Sequence, residues 1–131
     1  MVGLLILDKD RAARKLLADI LIEEGYDVTV TGSAAQALHD ILKKNAHVVL
    51  LGEQFDDISA AELVPILKQC NKELSIILVS SDASLPLIRK MRTEGIFYHA
   101  LKPVRAEDRE EIRQAVRCAF ANLSGVHHAM H

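Results

Sequence analysis

Asp8, Lys9, Ser80 and Lys102 are the residues whose types and spacing could do chemistry together, and Gly52 decides which chemistry. Each of the stretches Asp8-Lys9, Gly52, Ser80 and Lys102 closes a short apolar run: LLIL, VVLL, SIILV and IFYHAL respectively. A carboxylate such as Asp8 can hold a metal ion or pair with an amine. A hydroxyl near an ammonium, as Ser80 and Lys102 would be, can hold a small anion. Gly52 has no side chain, so it can be neither nucleophile, base nor ligand. Asp8, Ser80 and Lys102 contain no base–nucleophile pair with a third, orienting group, so no catalytic residue is assigned and no enzyme is expected.

These residues meet only if the apolar runs are neighbouring strands. Gly3 to Asp8 reads as a first strand, and Asp10 caps a helix running to about Glu24 with Leu16, Leu17, Ile20 and Leu21 inward. Gly25 ends that helix. Asp27 to Thr31 alternates and is rich in β-branched residues, as an edge strand would be. Ser33 caps a second helix with Ala34, Ala37, Leu38, Ile41 and Leu42 inward, stopping near Asn45. His47 to Leu51 is apolar on both faces and reads as the central strand. A loop, Gly52 to Ile58, leads to a third helix with the Ser59–Glu62 capping box. That helix buries Leu63, Ile66, Leu67 and Cys70, with Pro65 delaying its start or bending it. Leu74 to Ser80 is a fourth strand. Asp82 or Ser84 caps a fourth helix ending at Gly95. Ile96 to Leu101 is a fifth strand. The last helix spans about Ala106 to Leu123, with Ile112, Ala115, Val116, Ala119 and Phe120 inward. Residues 1–124 form one domain, and 125–131 are expected to be a disordered tail.

Strands alternating with helices predict an α/β fold, a parallel five-stranded sheet covered on both faces. Right-handed crossovers predict a flavodoxin-like topology, a (βα)5 three-layer sandwich of strand order 2-1-3-4-5. The formal net charge of −2 argues against binding nucleic acid through bulk charge. No apolar run approaches the ~20 residues of a membrane span, so no membrane association is expected. No secretory leader is evident. Cys70 and Cys118 are isolated on helices and read as small core residues of a reducing compartment, which places the chain in the cytoplasm.

An Asp after the first strand, a hydroxyl after the fourth and Lys-Pro after the fifth resemble the receiver domain of two-component response regulators. The resemblance covers about Leu4 to Leu123. It implies an acidic pair after strand one that holds Mg²⁺, and a phosphoacceptor Asp ending strand three. It also implies a Ser or Thr that meets the phosphoryl group and a Lys that pairs with it. Onto those positions fall Asp8 and Lys9, Gly52, Ser80 and Lys102. The resemblance further implies a cis bond at Pro103 and an aromatic in strand five, where His99 stands with Tyr98 beside it.

Two departures cut at the chemistry. Phosphoryl transfer to a carboxylate needs a carboxylate, and Gly52 offers none. Lys9 replaces the second acid, and at about 4 Å and a dielectric near 20 a unit charge acts with about 4 kcal/mol, roughly doubled against a divalent ion. Neither Mg²⁺ nor any other cofactor is therefore expected, and Asp8 is expected to pair with Lys9 or Lys102. The reading is a degenerate receiver, or pseudo-receiver, of a phosphorelay, acting through protein–protein contacts.

The partners expected are signalling proteins, such as a histidine kinase or an output domain or protein. A homodimer through the fourth helix, fifth strand and fifth helix is the other arrangement. Arg89, Arg92, His99, Arg109, Arg113 and Arg117 are the candidate partner surface, the arginines after Arg105 recurring every four residues. Glu53, Asp56 and Asp57 make the loop after Gly52 acidic and read as solvated. His127, His128 and His131 read as part of the tail, not a metal site. Two alternatives stand beside this reading. Ser80 and Lys102 could bind an anion or small molecule. The fold could also serve as a flavodoxin-like cofactor carrier or enzyme, although Lys9-Asp10-Arg11 is not the Ser/Thr/Gly-rich loop that a flavin phosphate needs.

Overall fold

The apolar runs form strands, and the amphipathic stretches between them form helices. The computed structural model describes residues 3–52, 54–55, 58–81 and 85–129. In order the elements are β1 (Gly3–Leu7), α1 (Arg11–Glu23), β2 (Asp27–Thr31), α2 (Ala34–Leu42), β3 (Val48–Leu51), β4 (Gln54–Phe55), β5 (Ile58–Ser59), α3 (Ala60–Cys70), β6 (Ser75–Ser80), α4 (Leu85–Glu94), β7 (Tyr98–Leu101) and α5 (Ala106–Ala129). The five-stranded sheet runs β2-β1-β3-β6-β7, all pairs parallel, with β3 in the middle as expected.

Alternation along each strand divides the core in two. Leu4, Ile6, Val48, Leu50, Ile77 and Val79 face α1 and α5. Leu5, Leu7, Val49, Leu51, Ile76 and Leu78 face α2 and α3. Burying each such side chain contributes about 1.5–3 kcal/mol, so the sheet is held mainly by its centre. Tyr26 stacks on Phe120, with centroids 5.0 Å apart, and closes the space between α1 and α5.

Local signals place the helix starts. The Asp10 carboxylate accepts from Ala12 N–H, and the Ser33 hydroxyl from Gln36 N–H. The capping box of Ser59 and Glu62 is formed, so α3 starts at Ala60 and Pro65 lies inside it.

Several expectations are corrected. Ile66 is 39% exposed and Leu42 63% exposed. In α3 the buried stripe is Ala60, Leu63, Val64 and Leu67, which leaves Ile66 on the flank; in α2 it is Ala37 and Ile41, and Leu42 is the last residue. Cys118 is exposed, because Ile112, Ala115, Val116 and Ala119 already fill the inward face of α5, whereas half-buried Cys70 at the end of α3 packs against the core. Helix α2 stops at Leu42, three residues before Asn45, and Lys44 takes the left-handed backbone with φ 60°. The expected loop after Gly52 contains the short antiparallel pair β4–β5. The Lys102–Pro103 bond is trans, the ordinary preference of X–Pro bonds. Helix α5 is described as far as Ala129, since one glycine lowers helix propensity without forbidding it. The expected cap at Asp82 or Ser84, the acidic Glu53, Asp56 and Asp57, and His131 lie outside the described residues.

Candidate functional site

The ends of the parallel strands are laced together by the last rungs of the ladder. Asp8 N–H donates to Thr31 O at 3.2 Å, Gly52 N–H to Leu7 O at 2.9 Å and Lys102 N–H to Ser80 O at 3.0 Å. Asp8, Gly52, Ser80 and Lys102 therefore share one end of the sheet, as expected.

Asp8 is 3% exposed. Its Oδ1 accepts from Asp10 N–H at 2.9 Å, at the start of α1. Its Oδ2 is buried and has no hydrogen-bond partner among the described residues. The carboxylate lies against Gly52: a Cβ at position 52 would fall 2.5 Å from Asp8 Cγ and 2.6 and 2.8 Å from its oxygens. Real Cβ atoms do not approach that closely. The backbone of Gly52 is not left-handed, so no turn calls for the glycine; a side chain there would force the neighbouring Asp8 carboxylate to shift. What the sequence shows as an empty position is filled by Asp8.

The ion pair expected between Asp8 and Lys9 or Lys102 is not formed. Among the described residues the ion pairs are Lys15–Asp19, Arg113–Glu24 and Arg113–Glu110. Asp8 has instead turned to the Asp10 amide, and Lys9 is exposed. Lys102 acts on Asp8 through its field alone. Burial pushes the Asp8 carboxyl above its ordinary value, against the opposing pull of the Asp10 amide and Lys102.

That shift sets a pH dependence. The folded chain holds the Asp8 proton more firmly than the unfolded chain. Stability from this group is then full below the ordinary carboxylate pKa of about 4 and is lost as pH rises through the raised value. Asp8→Asn cannot titrate. Urea midpoints of Asp8→Asn relative to the natural chain are expected to rise across that window and level off above it. Two parallel pH profiles would contradict the assignment.

Ser80 is 1% exposed, and its Oγ lies 2.7 Å from His99 Nε2. Register explains the contact. Leu78 pairs with His99 and Ser80 with Leu101, so Ser80 and His99 lie diagonally on one face. Arg14 was not singled out in the sequence. Its guanidinium donates to Asp8 O at 2.7 Å and Lys9 O at 3.2 Å, pinning the turn between β1 and α1. Its position one turn into α1 was the only available clue.

A model of the response regulator receiver domain matches residues 4–117. The chain belongs to the response regulator receiver family. Sporulation initiation phosphotransferase F of Bacillus subtilis (strain 168) is 27% identical over 114 residues, covering 87% of this receiver and 90% of that protein. Two-component response regulator ORR24 of Oryza sativa subsp. indica is 31% identical over 120 residues, covering 88% of this chain and 19% of that one. The beryllofluoride-activated NtrC4 receiver domain dimer shares the fold, with TM-score 0.84 at 20% identity, covering 94% and 99% of the two chains. The receiver is thus a response regulator module of two-component signalling, and among the described residues no helix is long and apolar enough to cross a membrane.

Among the described residues, Asp8 is the carboxylate at these strand ends that is set against Gly52. The three atoms nearest a Cβ at position 52 all belong to the Asp8 carboxylate, and Lys9 follows it in the chain. Among the described residues no group of three His, Cys, Asp or Glu could hold a metal.

The arginine stripe splits from the face assigned to it. Arg113 Nε contacts Glu24 Oε1 at 3.2 Å, and Arg117 acts on Tyr26. These residues look towards α1, and Arg109 lies one turn earlier on the same stripe. The opposite flank of α5 meets β7: Glu111 accepts from Tyr98 OH and from Leu101 N–H, both at 3.2 Å. Arg92 of α4 acts on Tyr98 there and is exposed, as is Arg89. Helical spacing shows the stripe but not which neighbour it faces.

Proposed function

We propose that this chain is a degenerate receiver: a two-component signalling module that is not phosphorylated at the end of its central strand and transmits through protein contacts. The contact between Asp8 and Gly52 carries this reading. The phosphoacceptor position of the family holds no side chain, and the surviving acid occupies its space. Lys9 in place of the second acid supports a module that works without Mg²⁺ or other cofactor and performs no catalysis of its own. The partner is a signalling protein, such as a histidine kinase or an output domain. A second copy could pair through α4, β7 and α5. Exposed Tyr98, Leu101 and Arg92 on that flank support such a contact.

Binding of an anion between Ser80 and Lys102 is the weaker alternative. His99 already engages the Ser80 hydroxyl, and the Asp8 carboxyl lies within the field of Lys102.

Acetyl phosphate with Mg²⁺ tests the reading. Intact-mass spectra are expected to show no phosphoryl adduct on this chain under conditions that label a receiver with an aspartate at the acceptor position. A stoichiometric, hydroxylamine-sensitive adduct would sink it.

A further inference from the structure

A cavity of about 360 Å³ opens at the amino-terminal end of the sheet, a whole strand length from Asp8 and Gly52. Its walls include Lys68, Ser75, Gly95, Ile96, Phe97 and Leu123. That volume lies within the range of small-molecule sites.

Two polar groups in it are set up in advance. Lys68 Nζ donates to Lys72 O at 2.8 Å and Leu74 O at 2.9 Å, which leaves one ammonium proton for another acceptor. Gly95, at φ +111°, lies over the Lys68 stem; a Cβ there would fall 3.2 Å from Lys68 Cε. The lysine is therefore held at both stem and head. Burial lowers its pKa, so an anion beside it would restore what desolvation removes.

Ser75 is the second group. It is 5% exposed and lines the cavity, and its hydroxyl forms no hydrogen bond with any described residue. Holding the α3–β6 turn takes two of the three Lys68 ammonium protons, and Ser75 lines the same cavity. Around the two lie Ile96, 7% exposed, and Phe97, 37% exposed. Lys72 and Glu73, both exposed, offset each other at the rim.

We propose that this cavity binds a small organic carboxylate, its anionic head on the Lys68 ammonium and Ser75 hydroxyl and its apolar body against Ile96, Phe97 and Leu123. Such a ligand would use a receiver from the end opposite its strand-end site, independently of phosphorylation.

The test is a titration of the ¹⁵N-labelled full chain with benzoate, phenylacetate and hexanoate, each beside its uncharged amide. At least one carboxylate is expected to give saturable shifts at Ser75, Gly95, Phe97 and Leu123, with its amide at least about tenfold weaker. Ser75→Ala should weaken that carboxylate about tenfold, and Lys68→Gln at least as much. Should Lys68→Gln fail to fold, Ser75→Ala decides alone. No saturable shift with any of the three, equal binding of acid and amide, an unaffected Ser75→Ala, or shifts centred on Asp8, Ser80 and Lys102 would each overturn the proposal.

Discussion

Gly52→Asp is expected to destabilise this receiver by about 3–5 kcal/mol at neutral pH, the cost of a buried charge without a partner. The new side chain must start where Asp8 Cγ and its oxygens already lie, within 2.5 to 2.8 Å of the new Cβ. Two carboxylates in one buried space cannot both ionise, so one takes up a proton or the pair is forced apart. Gly52→Ala separates the steric part from the electrostatic part and should cost about 1–3 kcal/mol, as other overpacked sites do. Asp8→Ala made alone leaves the Asp10 amide without its acceptor, so it has a cost of its own. Made on top of Gly52→Asp, it empties the contested space. The double-mutant cycle is then expected to show a coupling of at least about 2 kcal/mol, read from urea denaturation. Losses that add within about 0.5 kcal/mol would show that Asp8 does not occupy the position. Restoring the acid at 52 is not expected to restore labelling by acetyl phosphate, because Lys9 still stands where the second acid would be.

The sheet was legible because each strand's environment is written in its composition. Unbroken apolar runs such as VVLL and IILV belong to strands covered on both faces, and β3 and β6 are buried throughout. The alternating DVTVT belongs to an edge, and β2 is the edge. Asp10, Ser33 and Ser59 announce helix starts because caps are local, within three residues of the amides they serve. The gathering of Asp8, Gly52, Ser80 and Lys102 follows from topology alone. What those residues do to one another does not. Gly52 reads as a vacancy, and nothing in the string says that the Asp8 side chain turns into it and away from Lys9. The pairing of Ser80 with His99 spans 19 residues and depends on the register between β6 and β7. The sides taken by Arg113 and Cys118 depend on the rotation of α5 about its axis, which a periodicity leaves open by tens of degrees.

Leu51→Ala is expected to cost about 2–5 kcal/mol, the second large effect, because it opens a cavity directly beneath the site. Leu51 is fully buried, and its register partners are Leu7 on one side and Leu78 on the other. It packs in the cluster with Ile41, Leu63 and Leu67, so the helices would have to collapse together to close the gap. A loss near 3 kcal/mol would lower the melting temperature by roughly 10 °C in a domain of this size. Val30→Ala is the matched control. Val30 is also an aliphatic strand residue, but it sits on edge strand β2 and is 47% exposed, so its truncation should stay within about 0.5 kcal/mol. Leu51 immediately precedes Gly52, whose amide is tied to Leu7 O at 2.9 Å. A cavity there also frees the backbone that holds Gly52 against Asp8. Leu51→Ala should accordingly weaken the coupling between positions 8 and 52, while Val30→Ala leaves it intact. Equal losses at the two strands would mean that β3 is not the centre on which the site is built.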